Sequence, residues 1–382
     1  MDFHLTEEHR MWQQAVHQFC ADRLRPTAAE FDARAEMNVE AVRAMTPLGL
    51  LGMAIPESLG GAGVDAVSSA LAIEELGWGC GGTALTVAAH NALGCAPIAL
   101  FGTPAQKGHW LPGLARGEPG LGALALTEPG AGSDLAGIQT SARQEAGEWV
   151  IHGSKAWITN AAAASVIITL CRTHADAGSR SFSLILVPRA SPGLHVHPAE
   201  KKMGVRASPT HALTYEDVRV PMDQVLGEPG AGLSQTLQVL DGGRVGIAAL
   251  SVGIARAALE EAVRYARERT AFGKTLAQHE AIQWMLADAA TQIEAARLLT
   301  WQAAWLKGQQ LPYSKQAAMA KLLASETSEA VARNAIQILG SYGYSQEYPV
   351  ERMYRDARLM TIGEGTSEVQ RMVIARRVIE GG

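Results

Sequence analysis

Apolar positions Met11, Ala15, Val16, Phe19 and Cys20 recur at helical spacing behind Thr6, which can cap the helix they predict. His9 stands where a capping-box Glu or Gln would be. Pro26 breaks or restarts the run. The pattern predicts a second helix over 39–52, ended by Gly49 and Gly52, and two more over 65–76 and 83–101. Between them, Ile55-Pro56-Glu57-Ser58-Leu59-Gly60-Gly61-Ala62-Gly63 reads as a loop, because no strand precedes its glycines and no Lys-Ser/Thr follows them. Thr103 caps a further short helix with Pro104 at its first position.

From about residue 120 the period changes. Trp149, Ile151, Val166-Ile167-Ile168, Phe182, Leu184, Leu186, Val187, Leu194, Val196 and Val218 fall in short runs punctuated by Gly147, Gly153, Gly178 and Pro192. Such runs predict a compact β-domain. After the linker Glu228-Pro229-Gly230-Ala231-Gly232 the helical period returns, with helices expected from Leu233 to Arg269, over 278–307, and from Pro312 to near Gly340. A C-terminal helix from Ser367 to Glu380 completes a four-helix bundle. The predicted fold class is therefore α+β: an N-terminal helical domain over 1–119, a central β-domain over 120–225 and a C-terminal four-helix bundle over 226–382.

Composition narrows the class of function. With 47% hydrophobic and 19% charged residues, the chain can bury a sizeable core and is not a disordered composition. A net charge of −5 with no basic tract argues against nucleic-acid binding. Cys20, Cys80, Cys95 and Cys171 are widely spaced, in no metal-binding pattern, and read as buried thiols in a reducing compartment. The first residues lack an apolar signal run, and no stretch reads as long and apolar enough to span a bilayer. A soluble cytoplasmic protein without a metal is expected.

Five places could carry chemistry. Glu364 lies between Gly363 and Gly365 on a short loop between two helical runs, where a carboxylate can serve as general base. The same residues also read as a plain helix start, with Thr366 or Ser367 capping and Glu368 in the first turn. The segment from Leu124 to Asp134 ends a strand in a loop that offers hydroxyls and backbone N–H groups. Trp157 could wall a flat cofactor or simply sit in the core. Gly242-Gly243 inside a helix costs about 2 kcal/mol relative to alanine, so something must press on that face. Arg269 and Lys274 could meet phosphates or form a solvated turn. Glu57, His90 and His279 are given no role.

The order of the motifs is more specific than any one of them. Thr127-Glu128-Pro129-Gly130-Ala131-Gly132-Ser133-Asp134, Trp157-Ile158-Thr159-Asn160, Asp241-Gly242-Gly243-Arg244, Arg269-Thr270-Ala271-Phe272-Gly273-Lys274, Gln337-Ile338-Leu339-Gly340, Tyr348-Pro349-Val350-Glu351-Arg352 and Glu364-Gly365-Thr366-Ser367-Glu368 together resemble the acyl-CoA dehydrogenase family, nearly end to end. The resemblance implies FAD as cofactor, an acyl-CoA substrate oxidised to the trans-2-enoyl-CoA, electron-transfer flavoprotein as acceptor, and a homotetramer built as a dimer of dimers. It implies Glu364 as the base that removes the α-proton, with hydride passing from Cβ to flavin N5. It places Leu124, Leu126, Thr127, Ser133, Trp157 and Thr159 around the flavin, and Arg269, Thr270 and Phe272 as FAD contacts given across the dimer interface. Gln337, Gly340, Thr366 and Glu368 complete the implied FAD site, and Ser133, Asp241, Arg244 and Gly365 the implied substrate contacts.

Two small departures, Ala161 and Ser341 where the family commonly has Gly, touch only fine loop geometry. Some family branches carry the base on the helix of Asp241; the presence of Glu364 points to the common branch. The stretch from Leu240 to Ala248 looks most like short-chain and branched short-chain members of fatty-acid β-oxidation. A dehydrogenase of carrier-protein thioesters in secondary metabolism, an O₂-reoxidised oxidase and a catalytically silent acyl-CoA-binding member are the alternatives.

Overall fold

The computed structural model describes residues 4–174 and 178–381. Its first third is helical: α1 (Glu7–Phe19), α2 (Ala28–Arg34), α3 (Val39–Ala44), α4 (Ala66–Gly79), α5 (Gly81–Ala89), α6 (Ala96–Phe101) and α7 (Pro104–Arg116). The caps follow from local chemistry. Thr6 Oγ1 accepts from the His9 N–H at 3.1 Å. Thr103 and Gln106 form a reciprocal capping box, with Pro104 opening α7.

Two expected helices differ. The run predicted over 39–52 stops at Ala44 and gives way to a 3₁₀ turn over Thr46–Leu48. Pro47 has no N–H to continue the ladder, and Gly49 then turns left-handed at φ +70°. The run predicted over 83–101 is α5 and α6 joined through a π turn over His90–Cys95, with Pro97 in the first turn of α6. Buried His90 holds this segment in place: its Nε2 lies 2.9 Å from Leu51 O, and its Nδ1 accepts from the Gly122 N–H at 2.9 Å.

The strands are β1 (Leu121–Ala125), β2 (Ser141–Glu145), β3 (Glu148–Thr159), β4 (Ala164–Arg172), β5 (Phe182–Pro188), β6 (Leu194–Ala199) and β7 (Thr210–Pro221). They form one sheet in the order β1-β4-β2-β3-β7-β6, with β5 also paired to β4. The β1–β4 pair is parallel, whereas β3–β7 and β4–β5 are antiparallel. Strands β4 and β5 are buried almost throughout, which explains their continuous apolar runs. Tyr215 is enclosed on β7, and its hydroxyl pairs with Thr169 Oγ1 at 2.9 Å.

The last third holds α8 (Gly232–Glu268), a small hairpin of β8 (Thr270–Ala271) and β9 (Lys274–Thr275), α9 (Glu280–Gly308), α10 (Ser314–Leu339), α11 (Val350–Met360) and α12 (Ser367–Ile379). Helices α8, α9 and α10 pack on one another, with α11 and α12 against α10. Pro312 lies two residues before α10 rather than at its start.

Helix α4 joins the N-terminal helices to this bundle. A Cβ on Gly77 would sit 2.6 Å from Leu250 O, and one on Gly253 only 2.1 Å from Glu74 O, so the two helix backbones touch. The contact is locked by buried charge. Arg256 donates to Glu74 at 3.0 Å and to Glu75 at 2.8 Å, while Arg297 reaches Glu74 at 2.9 Å. Burial would raise the Glu75 carboxyl, but the Arg256 guanidinium and the donors of His17 and Gln13 outweigh it and hold Glu75 below the usual carboxylate range.

One expectation is corrected. Gly81–Phe101 and Gly232–Glu268 are both long and apolar enough, by length and composition, to cross a membrane. Their apolar character has another use here, since each is mostly buried inside the fold.

The α4–α8 contact yields a test. Gly253→Ala forces a methyl into the Glu74 carbonyl, an overpacking that costs about 1–3 kcal/mol. The thermal unfolding midpoint should fall by several degrees, whereas Gly246→Ala, whose Cβ meets nothing within 4 Å, should leave it near wild type.

Candidate active site

Glu364 is held by the end of one helix and the start of the next. The Gly363 N–H donates to Leu359 O at 2.8 Å and finishes α11, and the Ser367 N–H returns to Thr361 O at 3.0 Å. Thr366 Oγ1 then accepts from the Val369 N–H at 3.3 Å and caps α12, with exposed Glu368 in the first turn. The chain between turns through two successive left-handed residues, Glu364 at φ +52° and Gly365 at φ +91°. Such a φ is uncommon for a residue with a side chain, and the surrounding contacts must hold it.

The loop aims the carboxylate at α8. A Cβ on Gly243 would stand 2.1 Å from Glu364 Oε2 and 3.4 Å from the Leu93 side chain. The mid-helix glycine is thus the clearance that lets the carboxylate lie against the helix. Glu364 Oε2 is buried and, among the described residues, meets no hydrogen-bond partner. A buried acceptor left open is costly unless something else fills the gap, such as a bound reactant. Burial pushes the Glu364 carboxyl up to about 7, against the opposing pull of the Lys321 and Arg244 cations. Arg244 is itself tied to Asp241 at 2.5 Å, one turn earlier on α8. Asp241 is raised by its own burial in spite of Arg244, Ser314 and Arg377. Asp241, Arg244, Glu364 and Gly365 therefore form one cluster.

A second group of expected residues gathers on the β-domain. Leu124 ends buried in β1, and Leu126 is buried just beyond it. The half-buried Thr127 accepts from the Ala156 N–H at 2.8 Å through its carbonyl, which sets it beside Trp157. The wholly enclosed Lys155 fixes this edge by donating to Leu126 O at 3.0 Å and to Glu128 at 2.9 Å. Glu128 also accepts the N–H groups of Gln139 and Thr140, at 2.7 and 2.9 Å. Although burial would raise it, these donors and Lys155 keep its carboxyl low. Trp157 is not a core residue: it is 59% exposed, at φ +61°, with half-buried Thr159 two residues on. Ser133 is exposed on the loop.

The remaining expected residues lie on other elements. Arg269 caps α8, and Thr270 and Phe272 lie on the β8–β9 hairpin, held by His279 Nε2 at 3.1 Å from Ala271 O. Phe272 is 97% exposed at the hairpin tip. Gln337 is exposed on the last turn of α10, and Gly340 follows at φ +63° with open space around it. On the β-domain the exposed Trp157 ring, with Thr127 and Thr159 near it in the chain fold, suits a flat aromatic group with polar edges, and on the separate hairpin the Arg269 cation and the exposed Phe272 ring suit an anionic, aromatic tail. The residues present fit FAD.

Comparison with known proteins identifies the family. The N-terminal, middle and C-terminal domain models of acyl-CoA dehydrogenase match residues 6–118, 123–218 and 230–379. A probable acyl-CoA dehydrogenase of Bacillus subtilis, YngJ, is 47% identical over 381 residues, covering 100% of both chains. The short-chain specific acyl-CoA dehydrogenase of Bos taurus mitochondria is 46% identical, covering 98% of this chain and 91% of its own length. The solved butyryl-CoA dehydrogenase of Megasphaera elsdenii superposes with a TM-score of 0.97 at 40% identity, covering 99% of this chain and 100% of that one. The chain belongs to the acyl-CoA dehydrogenase family. It is an oxidoreductase that acts on acyl-CoA thioesters.

Sequence reasoning missed Lys321, Gln370 and Leu93 around the loop. Lys321 left a signal: a lone cation among Ala317, Ala318, Ala320 and Ala324, all buried on α10. A buried lysine needs a partner, which the sequence could not name. The Gly243 clearance is directly testable. Gly243→Ala should leave the far-ultraviolet circular dichroism and cofactor content unchanged, yet cut the rate of flavin reduction by substrate at least about tenfold, because even a methyl displaces the carboxylate.

Proposed function

We propose that the protein is a FAD-dependent dehydrogenase of short-chain acyl-CoA thioesters, with Glu364 removing the proton at Cα. The observation that carries this reading is the Glu364 carboxylate itself: buried, unpartnered at Oε2, pushed up to about 7 and seated over a glycine of α8. A base whose proton affinity lies near neutral pH is matched to a weakly acidic carbon acid. Leu93 supplies an apolar wall near the carboxylate, which suits a small acyl chain. The match in name and sequence to short-chain and butyryl-CoA enzymes supports the same substrate class.

Thr127, Ser133, Trp157 and Thr159 would hold the isoalloxazine side of the cofactor, with Leu124 and Leu126 behind them. Arg269, Thr270, Phe272, Gln337, Gly340, Thr366 and Glu368 would hold its other parts. Bound FAD supplies the two-electron acceptor for the β-hydrogen. Asp241, Arg244, Gly365 and Ser133 would contact the thioester substrate. Phe272 at 97% exposure on the hairpin supports the reading that a second copy covers it and that the working form is a homotetramer. Electron-transfer flavoprotein is the proposed acceptor. The free, buried cysteines suit a reducing compartment, and we assign the protein to the cytoplasm.

The test is an anaerobic absorbance spectrum of the purified protein before and after a panel of acyl-CoAs. Bleaching of a yellow protein by butyryl-CoA or isobutyryl-CoA is the expected result. Bleaching only by carrier-protein thioesters would overturn the substrate, and a colourless protein that takes up no FAD would overturn the enzyme. Glu364→Gln should keep FAD and abolish this bleaching. Since the base must be ionised, the wild-type reduction rate should rise with pH through about 7 and level off above it.

A further inference from the structure

The Gly365 carbonyl is held by two side chains from different helices. Lys321, on α10, donates its Nζ to Gly365 O at 2.7 Å. Gln370, on the second turn of α12, donates its Nε2 to the same oxygen at 2.8 Å and reaches Glu364 O at 3.4 Å. Lys321 is 0% exposed, although a buried ammonium group is among the most costly side chains to place in a core. A Cβ on Gly365 would lie 2.7 Å from Gln370 Nε2, so the clamp closes only on a glycine. The donors meet the peptide groups on both sides of Gly365, the hinge directly after the base.

We propose that Lys321 is a positioning residue for Glu364: with Gln370 it clamps the left-handed Glu364–Gly365 turn, and its buried charge is the counter-ion that keeps the base ionised. This inference rests on the reading of Glu364 as the base. The backbone argument is geometric. Glu364 at φ +52° is strained, Gly365 beside it is free to turn either way, and an unheld loop would relax. Fixing both carbonyls fixes where the Glu364 side chain leaves the chain.

The charge argument requires the full set of neighbours. Lys321 faces Glu364 and Glu368 on the loop side and Glu326 on its own helix, with Arg244 approaching from α8. Glu326 is paired with Arg371 at 2.7 Å, and Arg244 with Asp241. Glu368 is exposed to solvent. Among the described residues, Lys321 is thus the cation at this loop whose hydrogen bond goes to a carbonyl and whose charge no carboxylate neutralises by contact. Burial draws the ammonium down to about 8, with Glu364 opposing that shift, so the two groups support each other's charged forms. Removing the cation removes a charge that favours the ionised form of Glu364, and the base should then ionise at higher pH.

The experiment compares the pH dependence of anaerobic flavin reduction by butyryl-CoA in wild type, Lys321→Met, Lys321→Arg and Gln370→Met. In Lys321→Met the acidic limb should move up by about one pH unit, equivalent to about tenfold slower reduction on the acidic side. Lys321→Arg should return the limb to its wild-type position. Gln370→Met removes a donor without a charge, so it should slow reduction at every pH and leave the limb in place. If Lys321→Met does not retain FAD, Lys321→Gln keeps a donor while removing the charge and should show the same displacement. A limb that stays put in the charge-free variants would overturn the proposal while leaving Glu364 as the base. Wild type that no acyl-CoA reduces would instead overturn the functional reading on which the proposal rests.

Discussion

The structure depends on how closely other backbones approach helix α8. At one point on it, Gly253 lies against the Glu74 carbonyl of α4, and nearly three turns earlier Gly243 lies against the Glu364 carboxylate. Both contacts need the same thing, a helix surface with no side chain. The first ties the N-terminal helices to the bundle, with the Glu74, Glu75, Arg256 and Arg297 charges sealed over it. The second gives the loop between α11 and α12 a surface to rest on. One rigid element thus carries both the joint between the two helical regions and the floor of the candidate active site, as precise chemistry requires of its scaffold.

Burying a carboxylate on that floor creates a conflict. Desolvation favours the neutral acid, whereas a base must be charged to act. The protein meets this by keeping Lys321 and Arg244 near Glu364 without letting either form a tight ion pair with it. Arg244 spends its hydrogen bond on Asp241, and Lys321 spends one on the Gly365 carbonyl. A direct salt bridge to Glu364 would lower its proton affinity too far and would occupy the oxygen that is left open. The counter-charges therefore act through space, and the proton affinity settles near neutrality.

Much of this was legible in the sequence because the rules involved are local. The change of period near residue 120, the Thr103–Pro104 helix start and the Gly242–Gly243 anomaly could all be read without knowing any neighbour. The helix interruptions at Pro47 and at the π turn over His90–Cys95 were less legible, since both sit inside apolar runs that keep helical spacing. The burial of two apolar helices rather than their insertion in a bilayer depends on what packs around them. The least legible feature was the clamp on Gly365. Lys321 and Gln370 lie 44 and 5 positions from Gly365, on different helices, and no short-range pattern joins them.

The two sequence readings of the Glu364 loop, a helix start or a base, describe one arrangement. Thr366 does cap α12, and Glu368 does lie in its first turn, as an ordinary helix start requires. That cap fixes the first turns of α12, which is what brings Gln370 back over the Gly365 carbonyl. The helix start is therefore a condition for the position of the base. A local capping rule holds one side of the turn and a buried cation from α10 the other, so the strain at Glu364 is shared between a near contact and a distant one. Only the near half is written in the motif Glu364-Gly365-Thr366-Ser367-Glu368; the distant half is written in a lone lysine among alanines.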